Sequence, residues 1–126
     1  MKGIPESKLN LLKEATKAYA FLATTMKDGT PQVTPVWFST DDTHILINTR
    51  RGRVKDKNMR ERPDVAVLIM DFNNPLTYLQ VRGKVVESTE EGAVEHINAL
   101  SHKYDKQDFR PLQEGEVRVI YKILPK

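Results

Sequence analysis

The stretch Ile47-Asn48-Thr49-Arg50-Arg51-Gly52-Arg53-Val54-Lys55 holds the residues best suited to chemistry, and that chemistry is anion binding. It runs off a strand pattern into the first turn of a helix pattern. A helix start presents free N–H groups and a partial positive charge. Arg53 and Lys55 add cations to that positive pole, a local cost that a bound anion reverses. A phosphate held by Arg53, Lys55, the Thr49 hydroxyl and backbone N–H groups satisfies each of these features. Arginine offers a two-pronged fork and lysine a point charge. A solvated basic helix fits the same residues, because each unfavourable dipole term costs only about 0.3–1 kcal/mol.

Thr34-Pro35-Val36-Trp37-Phe38 is the second candidate, and Trp37 is the only tryptophan. On a strand interrupted by proline, backbone groups at Thr34 and Val36 suit a planar heterocycle that a side chain covers. Trp37 as ordinary core is the plainer reading. Tyr78 and Arg82 are four residues apart on a later strand pattern and share a face. They either flank a ligand or form an exposed pair. Other chemistries lack parts. There is no cysteine, so thiolate nucleophiles and cysteine-based metal sites are excluded. No GxGxxG or GxxxxGK[ST] loop and no GxSxG elbow occurs. His44, His96 and His102 lack metal-ligand spacing, so no metal site is expected. A bound organic cofactor is the remaining economical route to difficult chemistry. No side chain is singled out as a catalytic acid or base.

The elements that must position these residues follow from periodicity and turn signals. Residues 7–20 read as an amphipathic helix capped by Ser7, with Leu9, Leu12, Ala15, Thr16 and Tyr19 at helical spacing. Strand composition follows over 21–26, then the hairpin signal Asp28-Gly29. One strand is expected over 32–40. Pro31 and Pro35 place it at an edge, at a bulge or along a site. A third strand covers 44–49, and a short exposed helix covers 53–62 and ends before Pro63. Residues 64–72 read as a buried strand, and 77–87 as a long one with Gly83 at a bend or close backbone approach. A helix over 89–103 has Thr89 as cap and Ala93, Ile97 and Leu100 as its apolar stripe. A loop over 104–114 precedes the last strand, 116–124. Six antiparallel strands with inserted helices predict an α+β barrel.

Length and charge narrow the setting. The 126 residues predict one domain, 1–126, with a single core. Residues 1–10 have no apolar signal region, and no apolar run reaches membrane-spanning length. A soluble cytoplasmic protein is expected, with no membrane partner. The net charge is +3, but Arg50, Arg51, Arg53, Lys55, Lys57, Arg60 and Arg62 cluster against only Asp56 and Glu61. That cluster asks for an anionic partner. The mild overall charge, and the absence of aromatic residues interleaved with the cluster, argue against nucleic acid.

Several segments together carry a family likeness. They are Phe21-Leu22-Ala23-Thr24, Asp28-Gly29-Thr30-Pro31, Thr34-Pro35-Val36-Trp37-Phe38, the run 49–58, Arg62-Pro63-Asp64-Val65, Asn74-Pro75-Leu76-Thr77-Tyr78, Val81-Arg82-Gly83-Lys84-Val85 and His102-Lys103-Tyr104. Each is weak singly, but their ordered combination along roughly the whole chain is specific. The sequence resembles the pyridoxamine-phosphate-oxidase-like split β-barrel proteins, especially the small branch dependent on the deazaflavin coenzyme F-420. The resemblance implies a six-stranded antiparallel split β-barrel with flanking helices. It also implies a homodimer with two cofactor sites at its interface. By that pattern Arg53 and Lys55 hold the cofactor phosphate, and Asn48 and Thr49 lie along the ribityl chain. Pro35, Val36 and Trp37 border the ring, with Tyr78 and Arg82 nearby, some of them from the partner subunit. Asn58 matches the asparagine that follows the phosphate-binding turn.

The activity so implied is hydride transfer between coenzyme F-420 or FMN and a small organic acceptor. The same fold also hosts flavin- or heme-binding proteins without a known reaction, so a non-catalytic binder is the alternative. Asp105-Lys106 departs from the Thr-Gly that branch members often carry after the tyrosine matching Tyr104, which bears on substrate and cofactor choice. Arg50, Arg51, Lys57 and Arg60 either meet the oligoglutamate tail of the deazaflavin or form a solvated face.

Overall fold

A computed structural model describes residues 1–13 and 16–126. A 3-10 helix, Glu6–Leu12, leads into β1 (Ala18–Thr25), β2 (Pro31–Val36), β3 (Phe38–Thr40) and β4 (Ile45–Arg50). Helix α1 (Val54–Glu61), strands β5 (Asp64–Asp71) and β6 (Tyr78–Thr89), helix α2 (Ala93–Asp105) and strand β7 (Arg118–Pro125) complete the chain. All seven strands form one antiparallel sheet in the order β2-β1-β5-β6-β7-β4-β3.

The order has a geometric consequence. β2 and β3 are the two ends of the sheet, yet only Trp37 separates them in the chain. A flat sheet cannot meet that condition, so the sheet curls until its edges come together at Trp37. This is consistent with a split barrel. The single strand expected over 32–40 is therefore two strands, and the described residues form seven strands rather than six. The proline reading holds: Pro31 and Pro35 lie on β2, an edge strand.

The amphipathic helix expected over 7–20 is not formed. The 3-10 turn stops at Leu12, no side chain caps it, and Tyr19 belongs to β1. Ala15 lies outside the described residues. Ala18, Ala20, Leu22 and Thr24 are buried at alternate positions, and pairing with β2 and β5 overrides the helical spacing. β5 is buried on one face only. Val65, Val67 and Ile69 enter the core while Leu68 faces out, as an antiparallel sheet allows. Helix α1 is less exposed than its composition suggests, since Asp56, Asn58 and Met59 are buried. Thr89 ends β6; its hydroxyl accepts the Glu91 N–H, and Gly92 occupies the α2 cap position.

β6 bends the barrel. Its first half pairs with β5 and its second with β7, with a register shift between Val85 and Glu87. Gly83 is the close approach expected there. A Cβ at that position would lie 2.6 Å from Ile123 Cγ2 and 3.0 Å from the Leu124 carbonyl oxygen. The core centres on Phe38, Ile45, Ile47, Met59, Val67, Ile69, Val119, Tyr121 and Ile123. On the opposite face of β2-β1-β5-β6 the register aligns Val33 with Ala23, Pro35 with Phe21, Phe21 with Leu68 and Met70 with Tyr78. Residues directly opposite one another share a face, so this outer surface is largely apolar, with Gln80 and Arg82 as polar members on β6. Val33 is 65% exposed and Tyr78 48%. No described helix is long and apolar enough to cross a membrane.

Candidate anion-binding cleft

A cleft of about 640 Å³ lies between the β1–β2 side of the sheet and β4. Tyr19, Phe21, Pro35, Val36 and Trp37 supply an apolar wall, and Arg50, Arg53, Lys55, Arg110 and Arg118 a cationic one. Asn48, Thr49, Ile97 and Phe109 also line it.

The turn that delivers Arg53 and Lys55 is held by one carboxylate. Asp56, fully buried, accepts the Gly52 N–H at 2.9 Å, Arg51 Nη1 at 3.0 Å and the Tyr121 hydroxyl at 2.6 Å. Burial by itself raises the Asp56 pKa. The bonds from Tyr121, Gly52 and Arg51 more than offset that and hold it below the usual carboxylate value. Gly52 has φ +97°, a conformation that a side chain would strain. Arg53 then stands at the α1 cap position, and its carbonyl accepts the Lys57 N–H.

Charge in the cleft is unbalanced. Five cations line it, and one carboxylate, Glu116, answers two of them: Arg110 Nη1 at 2.7 Å and Arg118 Nη1 at 2.9 Å. Arg50 donates to the neutral Gln113 side chain. Arg53 and Lys55 have no ion-pair partner among the described residues. Burial depresses the Lys55 pKa, and Arg53 and Arg118 depress it further. Arg50 and Arg118 also sit directly opposite each other across β4 and β7, an arrangement that like charges disfavour.

A chain of buried polar groups backs the cationic wall. Asn48 Oδ1 accepts Arg118 Nε at 3.0 Å, while Asn48 Nδ2 donates to the Ala93 carbonyl and to His96 Nδ1. An amide nitrogen only donates, so Nδ1 is the acceptor. The proton therefore sits on Nε2, which reaches Ser39 Oγ at 2.8 Å. Burial lowers the His96 pKa from 6.5 to about 4. The bond from Arg110, with help from the Gln113 N–H and Arg118, lowers that of Glu116 from 4.5 to about 2. The bonds to Glu116 contribute stability above its ordinary pKa that is lost as pH falls through the folded one, whereas buried His96 contributes none while neutral and opposes folding once it takes up a proton. Melting temperature is therefore expected to fall between pH 6.5 and about 4 as His96 takes up a proton, and again between 4.5 and about 2 for Glu116. A His96→Gln variant, compared with the parent by thermal melts, should lose the first of these declines.

The apolar wall continues as stacked rings. Trp37 lies parallel to Tyr104 with centroids 5.4 Å apart, and Tyr104 is stacked on Tyr19 at 6.5 Å. The Tyr104 hydroxyl donates to the Ala18 carbonyl at 2.7 Å. Phe109 sits beside the guanidinium groups of both Arg110 and Arg118.

Residues 11–121 match the family model described as pyridoxamine 5'-phosphate oxidase. The chain belongs to the pyridoxamine 5'-phosphate oxidase family. Among solved structures, an F-420 reductase is 32% identical, with 98% of this chain and 96% of that one covered and a TM-score of 0.85. A protein of Listeria innocua described as a candidate pyridoxamine 5'-phosphate oxidase is 20% identical over 96% and 92% of the two chains, with a TM-score of 0.72. General Stress Protein 26 of Bacillus anthracis is 20% identical over 94% and 87%, with a TM-score of 0.66. The latter two likenesses concern the fold. No curated protein matches the chain.

Of the residues singled out from the family pattern, Pro35, Val36, Trp37, Asn48, Thr49, Arg53 and Lys55 all line the cleft. Asn58 does not. Its amide donates to Thr24 Oγ1 and Met26 Sδ and accepts from Arg62, tying α1 to β1. Tyr78 and Arg82 lie on the outer face of β6, away from this cleft. Arg51 is spent on Asp56 and Glu90. Arg110, Arg118, Phe109, Ile97, Tyr19 and Phe21 also line the cleft, and the sequence reading does not assign them to the site. The signal for Arg118 was present in Glu116-Val117-Arg118: opposite charges two apart on a strand share a face.

Proposed function

We propose that this family member is a flavin- or deazaflavin-dependent oxidoreductase that binds coenzyme F-420 or FMN through its phosphate in the cleft. The single observation that carries this reading is the charge imbalance. Five cations against one carboxylate, at a helix start and beside an aromatic wall, suit a ligand with an anionic end and a flat end. Arg53, Lys55 and Thr49 hold the phosphate, and Pro35, Val36 and Trp37 border the ring. The bound ring supplies hydride transfer to or from a small organic acceptor. The chain binds the ring, orients it and screens it from water. The F-420 reductase likeness supports the deazaflavin; the phosphate residues serve either cofactor equally.

The assembly belonging to this reading is a homodimer through the outer face of β2-β1-β5-β6. That face is largely apolar and runs into the cleft wall at Phe21 and Pro35. It also carries Tyr78 and Arg82, which this arrangement would bring toward the cleft of a second copy. The alternative of a flavin-storage protein rests on the same geometry, because the described lining has no carboxylate, histidine or cysteine.

The test is a titration of purified protein followed by Trp37 fluorescence, with FMN and coenzyme F-420 run side by side. Quenching by one of them, followed by reduction of an added acceptor, is the expected result. Quenching without turnover selects the binder, and quenching by neither removes the cofactor reading.

A further inference from the structure

Arg118 is the cation that the anion-binding motif does not contain. It is on β7, in the opposite half of the sequence from Arg53 and Lys55, and only 8% exposed. Two of its three guanidinium nitrogens are taken, Nε by Asn48 Oδ1 and Nη1 by Glu116 Oε2. Nη2 has no hydrogen-bond partner among the described residues, and the side chain lines the cleft. That edge is not sealed from solvent: it opens on the cleft, where a ligand oxygen can take the place of water. Its cross-strand neighbour on β4 is Arg50 rather than a carboxylate, and Arg110 and Arg53 add like charge nearby, so an anion is the partner the edge favours.

Asn48 deserves a different role from the one its sequence position suggests. Its oxygen accepts from Arg118, and its nitrogen donates to both the Ala93 carbonyl and His96 Nδ1. The amide is thus committed inside the protein. Resting on the phosphate-binding reading above, we propose that Arg118 is a third anion-holding side chain of the cleft. Asn48 is a positioning residue that acts through Arg118 and makes no contact of its own with the ligand. Glu116 fixes the other side of the guanidinium, and His96 and Ser39 fix Asn48 from behind. The result is a guanidinium locked on two edges and open on the third.

The experiment compares FMN with riboflavin, which lacks the phosphate, on the full chain. Arg118→Met is expected to weaken FMN binding roughly ten- to a hundred-fold, the range for a hydrogen bond to a charged group, and to leave riboflavin binding unchanged. Asn48→Ala should weaken FMN in the same direction. Combining the two should cost no more than Arg118→Met alone, the non-additivity expected of groups acting as one. FMN affinity unaltered by Arg118→Met, or riboflavin lost in step with FMN, overturns the role of Arg118. Full additivity overturns that of Asn48. If Arg118→Met fails to fold, Arg118→Lys, which keeps the charge but not the fork, is judged by the same FMN-to-riboflavin ratio.

Wild-type protein that binds neither flavin overturns the cofactor reading alone. Inorganic phosphate, followed by its stabilisation of the ligand-free protein against heat, then tests Arg118 separately. Stabilisation of the wild type that is lost in the variant upholds the assignment. No stabilisation of the wild type, or stabilisation retained in the variant, overturns it.

Discussion

Replacing Arg53 and Lys55 together by alanine should lower affinity for FMN or coenzyme F-420 more than about a hundredfold, while raising the melting temperature of the ligand-free protein. The first effect follows from charge-assisted hydrogen bonds to phosphate. Two such contacts at about 1.5–3 kcal/mol each supply about 3–6 kcal/mol. The second follows from where these cations sit. Lys55 is half-buried, and its pKa is pushed down by burial and by Arg53 and Arg118. A cation held below its ordinary pKa opposes folding at neutral pH, because the unfolded chain binds the proton more tightly. Removing it relieves the ligand-free state and leaves the bound state without its anchor. Trp37 quenching and a thermal melt without ligand measure the two effects. Unchanged affinity would dispose of the phosphate site, and a lowered melting temperature would dispose of the electrostatic strain. An opposed pair of changes in one variant separates a binding site, where stability is sacrificed to function, from a merely basic surface.

Asp56→Ala carries the largest stability loss expected in the molecule, about 3–5 kcal/mol. With roughly 3–5 °C per kcal/mol for a chain of this size, the melting temperature should drop by about 10–20 °C. Asp56 is fully buried, and three donors converge on it from the turn before α1, from Arg51 and from β7. Alanine strands the Gly52 N–H and Arg51 Nη1, and leaves the Tyr121 hydroxyl only the carbonyl of residue 56, at 3.1 Å. Arg51 keeps Glu90, which is exposed and screened, so that contact compensates little. Asp56→Asn keeps the shape, loses the charge and should fall between the two. Circular dichroism melts check the ranking. Near-parental stability of the alanine variant would mean that water enters and satisfies the stranded groups. Cofactor affinity should fall with stability here, because the bond from Gly52 to Asp56 shapes the turn that presents Arg53.

The sequence carries the cationic turn and its neighbours well, because both depend on local signals. Ile47 to Lys55 reads as strand, glycine turn and helix start, and the structure has β4, Gly52 at positive φ and α1 in that order. Pro35, Val36 and Trp37 come to the same cleft. What local signals cannot carry is partnership across the chain. Asp56 and Asn58 look like solvated helix residues until Tyr121 and Thr24 are placed against them. Arg118 looks like a strand arginine until Asn48, seventy residues away, is found holding it. The helix expected over 7–20 fails for the same reason. Its apolar spacing is real, but Ala18, Ala20 and Leu22 gain more from alternate burial against β5 than from a helix turn. The segment 32–40 reads as one strand because alternation does not reveal which sheet edge each half must join.

The placement of β7 decides when the site can exist. It is the last of the seven strands in the chain, yet it pairs with β6 on one side and β4 on the other. During synthesis the β1–β2 and β3–β4 hairpins can pair early, since their partners are near neighbours in sequence. The two halves of the sheet remain separate until β7 emerges to join them, and the same strand brings Arg118 to the cleft. Nascent chains therefore hold a cationic turn with no finished cavity behind it. The proposed cofactor could therefore add stability only once β7 has paired with β4, and not during the earlier steps of folding.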